Sequence, residues 1–161
     1  MASYVILRGI KKIGVLMTTN IKATWREGNA FFGENESGGK AELGGEHIRP
    51  MQMILVALAG CSGVDVVNIL QKKRANFSDL EIRVSGKRAD THPKVYTEIH
   101  VKYLIWGEGI KEKDVEQAIE LSENKYCSVS AMLKSTAEIH SDYQILAPPT
   151  PSSPKGRGSA E

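Results

Sequence analysis

The sequence predicts an α+β fold in which a largely antiparallel sheet accompanies one long, buried helix. Three observations support this class. Short segments with twofold hydrophobic alternation precede and follow a long apolar helical segment, and two shorter helical segments come before the last strand. The resulting order, βββ-α-ββ-αα-β, is typical of an α+β domain.

The first three predicted strands are short. Residues 21–25 and 29–34 have strand composition and are separated by a turn at residues 26–28. Residues 41–43 form a weaker third strand, which the chain reaches through a glycine-rich turn at residues 37–39.

The central segment predicts one long helix. Pro50 suits the first helical position, and residues 51–73 contain no helix breaker except Gly60 and Gly63. Apolar residues occupy nearly all faces, which is typical of a buried helix. We therefore expect this helix to be central, with other elements or a partner subunit packed on several sides.

The second half of the chain returns to alternation. Residues 80–87 and 95–106 predict an antiparallel hairpin with charged outer faces. Residues 111–124 are amphipathic and predict a helix, a shorter helix follows around residues 129–134, and residues 137–146 predict the last strand.

Length and composition indicate a single soluble domain. The 161 residues suffice for one domain, which we place at residues 17–146. Residues 1–16 are interpreted as an N-terminal extension. Residues 147–161 are rich in Pro, Ser and Gly and are predicted to be disordered.

Charge and cysteine content limit the partners. A formal net charge of +2 is too small to indicate nucleic acid binding. We also expect no membrane span, because charged or polar residues interrupt every long apolar stretch. The chain has two cysteines and no clear signal peptide, so we expect a cytoplasmic protein with reduced thiols.

Cys61 lies in the middle of the predicted long helix. A lone buried cysteine is usually an inert small hydrophobe, but the flanking Gly60 and Gly63 allow a substrate or another backbone to come close. Asp65 lies one turn further on the same face, where it serves either a structural hydrogen bond or a site. An ionised Asp65 disfavours a Cys61 thiolate, so an active Cys61 requires a nearby cation.

Cys127 lies near the start of the short helix predicted at residues 129–134. Free amide groups and the helix dipole favour a thiolate at such a position. A plain turn residue is the alternative. The two cysteines are far apart in sequence, so only the fold can bring them together.

Two segments resemble the OsmC/Ohr family. Residues 50–67, PMQMILVALAGCSGVDVV, look like the family's central helix, and residues 125–130, KYCSVS, are similar to its second cysteine motif, which is usually Cys-Pro-Val-Ser. The resemblance covers residues 21–145 and includes the order of elements. The form GCSGVDVV looks most like the YhfA-type branch.

The resemblance implies antiparallel sheets wrapped around a long buried helix in an intertwined homodimer. It also implies a peroxiredoxin-like activity in oxidative stress defence, with no cofactor and no metal. Cys61 would attack an organic hydroperoxide and become a sulfenic acid, Cys127 would resolve it as a disulfide, and a dithiol reductant would reset the pair.

The sequence departs from the family pattern near the thiol. The family's peroxidases carry a Glu after the helix-opening Pro, paired with an activating Arg, and here that position is Met51. Arg26, in the turn sequence WREG, resembles the Arg of the family's Gly-Arg-Asp-Gly turn and is our first candidate, although an exposed turn residue is equally consistent. Arg49 and Glu46 are other candidates for supplying charge. Ser128 replaces the usual Pro.

Three other functions are considered. The first, a metal site, is not expected, since no two histidines are three or four residues apart and there is no Cys-x-x-Cys. A cysteine hydrolase would need a histidine that the fold brings to Cys61. The third alternative, favoured by Met51, is a non-enzymatic dimeric thiol protein that binds a small apolar ligand or senses oxidants at the interface.

Overall fold

A computed structural model of the chain describes residues 18–148. The chain divides after Arg49 into two compact units, which are described separately. The predicted extension at residues 1–16 and nearly all of the tail predicted at residues 147–161 lie outside the described residues, so both stay predictions.

The first unit contains a three-stranded antiparallel sheet. Its strands are β1 (Ile21–Trp25), β2 (Phe31–Asn35) and β3 (Lys40–Leu43), with β2 in the middle. All three predicted strands are present. β2 begins two residues later than predicted because Ala30 closes the preceding turn through backbone hydrogen bonds.

The second unit contains three helices, one π-helical turn and three strands. In chain order these are α1 (Pro50–Lys72), β4 (Phe77–Arg88), β5 (Tyr96–Gly107), α2 (Glu112–Leu121), a π-helical turn (Ser122–Tyr126), α3 (Ser128–Leu133) and β6 (Glu138–Leu146). Every predicted element of this half is therefore confirmed. The predicted second helix ends earlier as an α-helix and continues as the π-helical turn.

The sheet of the second unit has the order β4-β5-β6. β4 and β5 form the predicted antiparallel hairpin, but β6 pairs with β5 in parallel, which the prediction of a largely antiparallel sheet did not anticipate. The helices between β5 and β6 carry the chain back across the sheet, and such a crossover produces a parallel pair. The inward residues of the central strand β5 are buried, namely Ile99, Val101, Tyr103 and Ile105.

One face of α1 packs into the core of the second unit. Leu58, Val66 and Leu70 are buried, whereas Val56 and Val64 on the other side are 47% and 62% exposed. Residues 18–148 of a single chain thus cover only part of the helix that its apolar sequence predicts to be buried on all sides. By length and composition α1 could also cross a membrane, but the core helix of a soluble protein meets the same criterion.

The two glycines of α1 differ in their surroundings. A Cβ atom on Gly63 would lie 2.9 Å from Cδ1 of Ile82, so the missing side chain lets β4 pack closely on the helix. A Cβ atom on Gly60 would meet nothing within 4 Å. The close approach expected at both glycines is confirmed at Gly63, whereas Gly60 faces open space.

Candidate functional site

The fold brings both cysteines and Asp65 together. The sulfur atoms of Cys61 and Cys127 and a carboxylate oxygen of Asp65 all lie within 4.8 Å of one another. Both cysteines are free thiols. We call these three residues the dithiol cluster.

Two elements supply the dithiol cluster. Cys61 and Asp65 project from one face of α1, one turn apart, and both are half-buried. Cys127 is the residue that caps the N-terminus of α3 and is only 3% exposed. The Cys61 sulfur on α1 is therefore the more accessible of the two, and the Cys127 sulfur is enclosed.

The π-helical turn sets the position of Cys127. The backbone N–H of Cys127 donates to the carbonyl of Ser122 at 2.8 Å, which closes the turn. The sulfur of Cys127 then accepts a hydrogen bond from the backbone N–H of Ser130 at 3.3 Å. π-helical turns are rare and occur often at functional sites.

Burial controls the ionisation of Cys127. Burial, with a smaller contribution from the neighbouring Cys61 sulfur, raises the pKa of this thiol to about 11, although the N–H groups of Ser130 and Val129 act in the opposite direction. The amide groups at the helix N-terminus thus favour the thiolate as expected from the sequence, but burial has the larger effect. Desolvation of a fully enclosed thiolate outweighs two backbone hydrogen bonds.

Asp65 has a definite partner. The hydroxyl of Ser122 donates to Oδ2 of Asp65 at 3.1 Å, so the structural hydrogen bond considered for Asp65 is present alongside its place in the dithiol cluster. The same hydroxyl lies 3.4 Å from that of Ser62, which shares a short hydrogen bond with the hydroxyl of Tyr103. Burial raises the pKa of Tyr103 to about 12, so this phenol stays protonated.

Sequence reasoning missed the hydroxyl residues of this network, Ser62, Tyr103 and Ser122. All three are buried polar groups, and such groups need partners in the core. The signal was present in the pattern: Ser122 occupies the apolar stripe of the predicted second helix, and Tyr103 occupies the inward face of β5.

The predicted activating charges, Arg26, Arg49 and Glu46, all belong to the first unit. There the guanidinium of Arg26 lies 5.0 Å from the centre of the Phe32 ring beside the β1–β2 turn. Its role toward Cys61 stays a prediction, as do the roles of Arg49 and Glu46. Met51 is half-buried, and its carbonyl accepts a hydrogen bond from the hydroxyl of Tyr96 at 2.8 Å.

An open apolar groove of about 770 Å³ runs between α1 and β4. The helix side includes Gly60 and the exposed Val56 and Val64, and the strand side includes Phe77 and Ile82. The groove thus begins at the residue next to Cys61 and offers space for an apolar group.

The fold and the dithiol cluster define a class of α+β protein in which a long helix presents one thiol to a second thiol at the start of a later helix. The family model described as OsmC-like protein matches residues 43–142, and the chain belongs to the OsmC/Ohr family. It falls on the YhfA-type branch. It is 36% identical to Protein YhfA of Escherichia coli strain K12 over 130 residues. This match covers 78% of this chain and 97% of that protein.

Solved structures agree with this assignment. A hypothetical protein from Aquifex aeolicus VF5 has a TM-score of 0.77 and 36% identity, and the match covers 82% of this chain and 98% of that one. An organic hydroperoxide resistance protein OsmC from Legionella pneumophila shares the fold with a TM-score of 0.60, at 16% identity over 81% of this chain and 99% of its own.

Proposed function

We propose that the protein is a cytoplasmic, thiol-dependent peroxidase that reduces organic hydroperoxides in oxidative stress defence. The observation that carries this proposal is the separation of the Cys61 and Cys127 sulfurs, which is within 4.8 Å for two free thiols. The substrate class is suggested by the name of the Legionella pneumophila relative.

Accessibility and ionisation divide the roles of the two cysteines. Cys61 is half-buried, whereas Cys127 is enclosed and its pKa is raised to about 11. At neutral pH Cys127 is therefore a protonated thiol and a poor first nucleophile, because the thiolate is the reactive form. We assign the attack on peroxide to Cys61 and the resolving step to Cys127.

The first step oxidises Cys61. Its thiolate attacks the terminal oxygen of the hydroperoxide, an S–O bond forms and the O–O bond breaks. The alkoxide takes a proton and leaves as the alcohol, and Cys61 becomes a sulfenic acid. We assign that proton to Asp65, which accepts it from the Cys61 thiol and passes it to the alkoxide, so the negative charge moves from the thiolate to the alkoxide and then back to the carboxylate.

The second step forms the disulfide. The Cys127 sulfur attacks the Cys61 sulfur, the S–S bond forms, and the hydroxyl leaves with the Cys127 proton as water. The two sulfurs must approach to about 2.05 Å, so both side chains rotate toward each other. A dithiol reductant then supplies two electrons and two protons, which restores both thiols.

Turnover of cumene hydroperoxide with dithiothreitol tests the proposal. We expect the parent protein to turn over many equivalents, and Cys61→Ser to fall to the background rate. Ser135→Ala removes an exposed hydroxyl that bonds only the nearby carbonyl of Met132, so it serves as a control at the parent rate. A parent protein at the background rate would contradict the proposal.

A non-enzymatic role is the second candidate, and the apolar groove between α1 and β4 is the observation that favours it. Met51, at the position where the family's peroxidases carry a Glu, is consistent with this role. A parent protein that shows no turnover, but binds an apolar fluorescent dye at one site per chain, would support a ligand-binding or oxidant-sensing thiol protein.

A further inference from the structure

We propose that the dithiol cluster of Cys61, Asp65 and Cys127 binds Zn²⁺ when both cysteines are reduced. Thiolate sulfur and carboxylate oxygen are established zinc ligands. One potential ligand atom from each residue already lies within 4.8 Å of the other two. This site does not depend on peroxide turnover.

The geometry requires only a small contraction. Zinc bonds of about 2.3 Å to sulfur and about 2.0–2.2 Å to oxygen place tetrahedral ligand atoms roughly 3.5–3.8 Å apart. Atoms within 4.8 Å of one another therefore need to close by about 1 Å, which side-chain rotations provide. Two ligands come from one face of α1 and the third from the N-terminus of α3, so a bound ion would connect the two helices.

Hydrogen-bond donors already support two of the three ligands. The hydroxyl of Ser122 donates to Oδ2 of Asp65, and the backbone N–H of Ser130 donates to the Cys127 sulfur. Such contacts orient metal ligands and strongly affect affinity. The hydroxyl of Ser130 is itself buried and has no hydrogen-bond partner within residues 18–148. The residue whose N–H supports the Cys127 sulfur therefore also carries a polar group that is still available for a hydrogen bond.

The donor set favours zinc over hard cations. Mg²⁺ and Ca²⁺ prefer oxygen ligands, whereas two sulfurs and one carboxylate suit a borderline-soft ion. Zinc would also stabilise the thiolate form of the enclosed Cys127, since a coordinating thiol is deprotonated. The spacing rules applied to the sequence missed this cluster because its ligands come from two distant segments.

Zinc binding and disulfide formation exclude each other because both use the same two sulfurs. A bound ion would shield Cys61 from oxidants, and oxidation of the pair to a disulfide would remove the site. Zinc would therefore hold the reduced protein in an unreactive state.

Competition with a chromophoric chelator under anaerobic conditions tests the site in the reduced, full-length protein. We expect one Zn²⁺ per chain. Cys61→Ser, Cys127→Ser and Asp65→Asn should each lower the affinity at least about tenfold, since loss of a ligand costs no less than loss of a supporting contact. Co²⁺ in place of Zn²⁺ should give thiolate-to-cobalt charge-transfer absorption in the parent, and this absorption should weaken in each of the two cysteine variants.

The surface offers a matched control. His100 and His140 are paired neighbours on β5 and β6, both about half exposed, and His100 lies 3.0 Å from Asp142. These imidazoles could hold zinc adventitiously. The double variant His100→Ala/His140→Ala should keep the parent affinity if the dithiol cluster is the site.

A second measurement needs no variant. Zinc should slow alkylation of Cys61 by iodoacetamide in the parent, a chelator should restore the rate, and the oxidised parent should not bind zinc. Binding that survives in both cysteine variants, disappears in the histidine double variant or persists in the oxidised protein would overturn the proposal. Zinc binding and peroxide turnover are measured separately, so failure of one leaves the other standing.

Discussion

The hydroxyl of Ser122 donates a hydrogen bond to Oδ2 of Asp65 at 3.1 Å, although 57 residues separate them in the sequence. The carbonyl of the same serine accepts the backbone N–H of Cys127 at 2.8 Å. Ser122 therefore connects the α1 side of the dithiol cluster to the π-helical turn that positions Cys127. This one residue positions both halves of the cluster.

Replacement of Ser122 by alanine should destabilise the protein. It leaves the half-buried carboxylate of Asp65 without this donor, at a cost of about 1–3 kcal/mol in the free energy of unfolding. Urea denaturation of the reduced protein measures the change. The exposed Ser135→Ala control should stay within about 0.5 kcal/mol of the parent. Equal stability of the two variants would show that the Ser122 contact is not formed.

The stability of the reduced protein should fall as the pH rises above about 9. Cys127 has an ordinary pKa of 9.0 that burial raises to about 11, so between these values the folded state holds one more proton than the unfolded state. This contribution to the free energy of unfolding is therefore fully present below pH 9 and is lost by pH 11, a change of about 3 kcal/mol.

Cys127→Ser is the comparison that isolates this effect. Tyr103, whose pKa is raised to about 12, adds a loss at still higher pH, but it does so in both proteins. The difference in the free energy of unfolding between the parent and Cys127→Ser should therefore shrink between pH 9 and 11. A constant difference across that range would contradict the assignment to Cys127.

Arg26→Ala should slow alkylation of Cys61 at neutral pH. If this arginine supplies the cation that an active Cys61 requires, its loss makes the thiol less reactive. Iodoacetamide kinetics in a Cys127→Ser background measure this rate. Arg83→Ala, which removes an exposed arginine paired with Glu81, is the charge-matched control. If Arg26→Ala reacts like this control, Arg49→Ala is the next variant to test.

The exposed face of α1 predicts a homodimer. Val56 and Val64 are apolar and largely exposed, and a contiguous apolar surface of this kind usually marks a protein–protein interface. A second copy of the chain would bury both side chains. Sedimentation at micromolar concentration should give a dimer for the parent and a monomer for Val64→Asp. Met132→Asp, at an equally exposed position of α3, should remain dimeric. A monomeric parent would contradict this prediction.

The order and type of the described α-helices and strands could be predicted from the sequence, mostly from hydrophobic periodicity, whereas the π-helical turn at Ser122–Tyr126 was not predicted. The parallel pairing of β6 could not be predicted either, since alternation along a strand is the same for parallel and antiparallel neighbours. Pro50 and the absence of strong breakers similarly defined α1. The sequence could not show which face a single chain buries, because its apolar residues cover all faces.

The site was predictable only in part. Cys61, Asp65 and Cys127 were singled out by their types and positions, and the structure brings all three together. The effect of the helix amides on the ionisation of Cys127 was predicted, but the larger effect of burial was not, because burial depends on tertiary packing rather than on the place of Cys127 before α3.

Formation of a Cys61–Cys127 disulfide by one equivalent of peroxide tests the central claim most directly. Reduced, metal-free protein is treated with cumene hydroperoxide, and intact mass and non-reducing peptide maps are recorded. We predict the loss of two hydrogen masses and a single crosslinked peptide joining Cys61 to Cys127, while Cys127→Ser gives a Cys61 sulfenic acid that dimedone traps. Unchanged thiols in the parent, or a first oxidation at Cys127, would contradict the account.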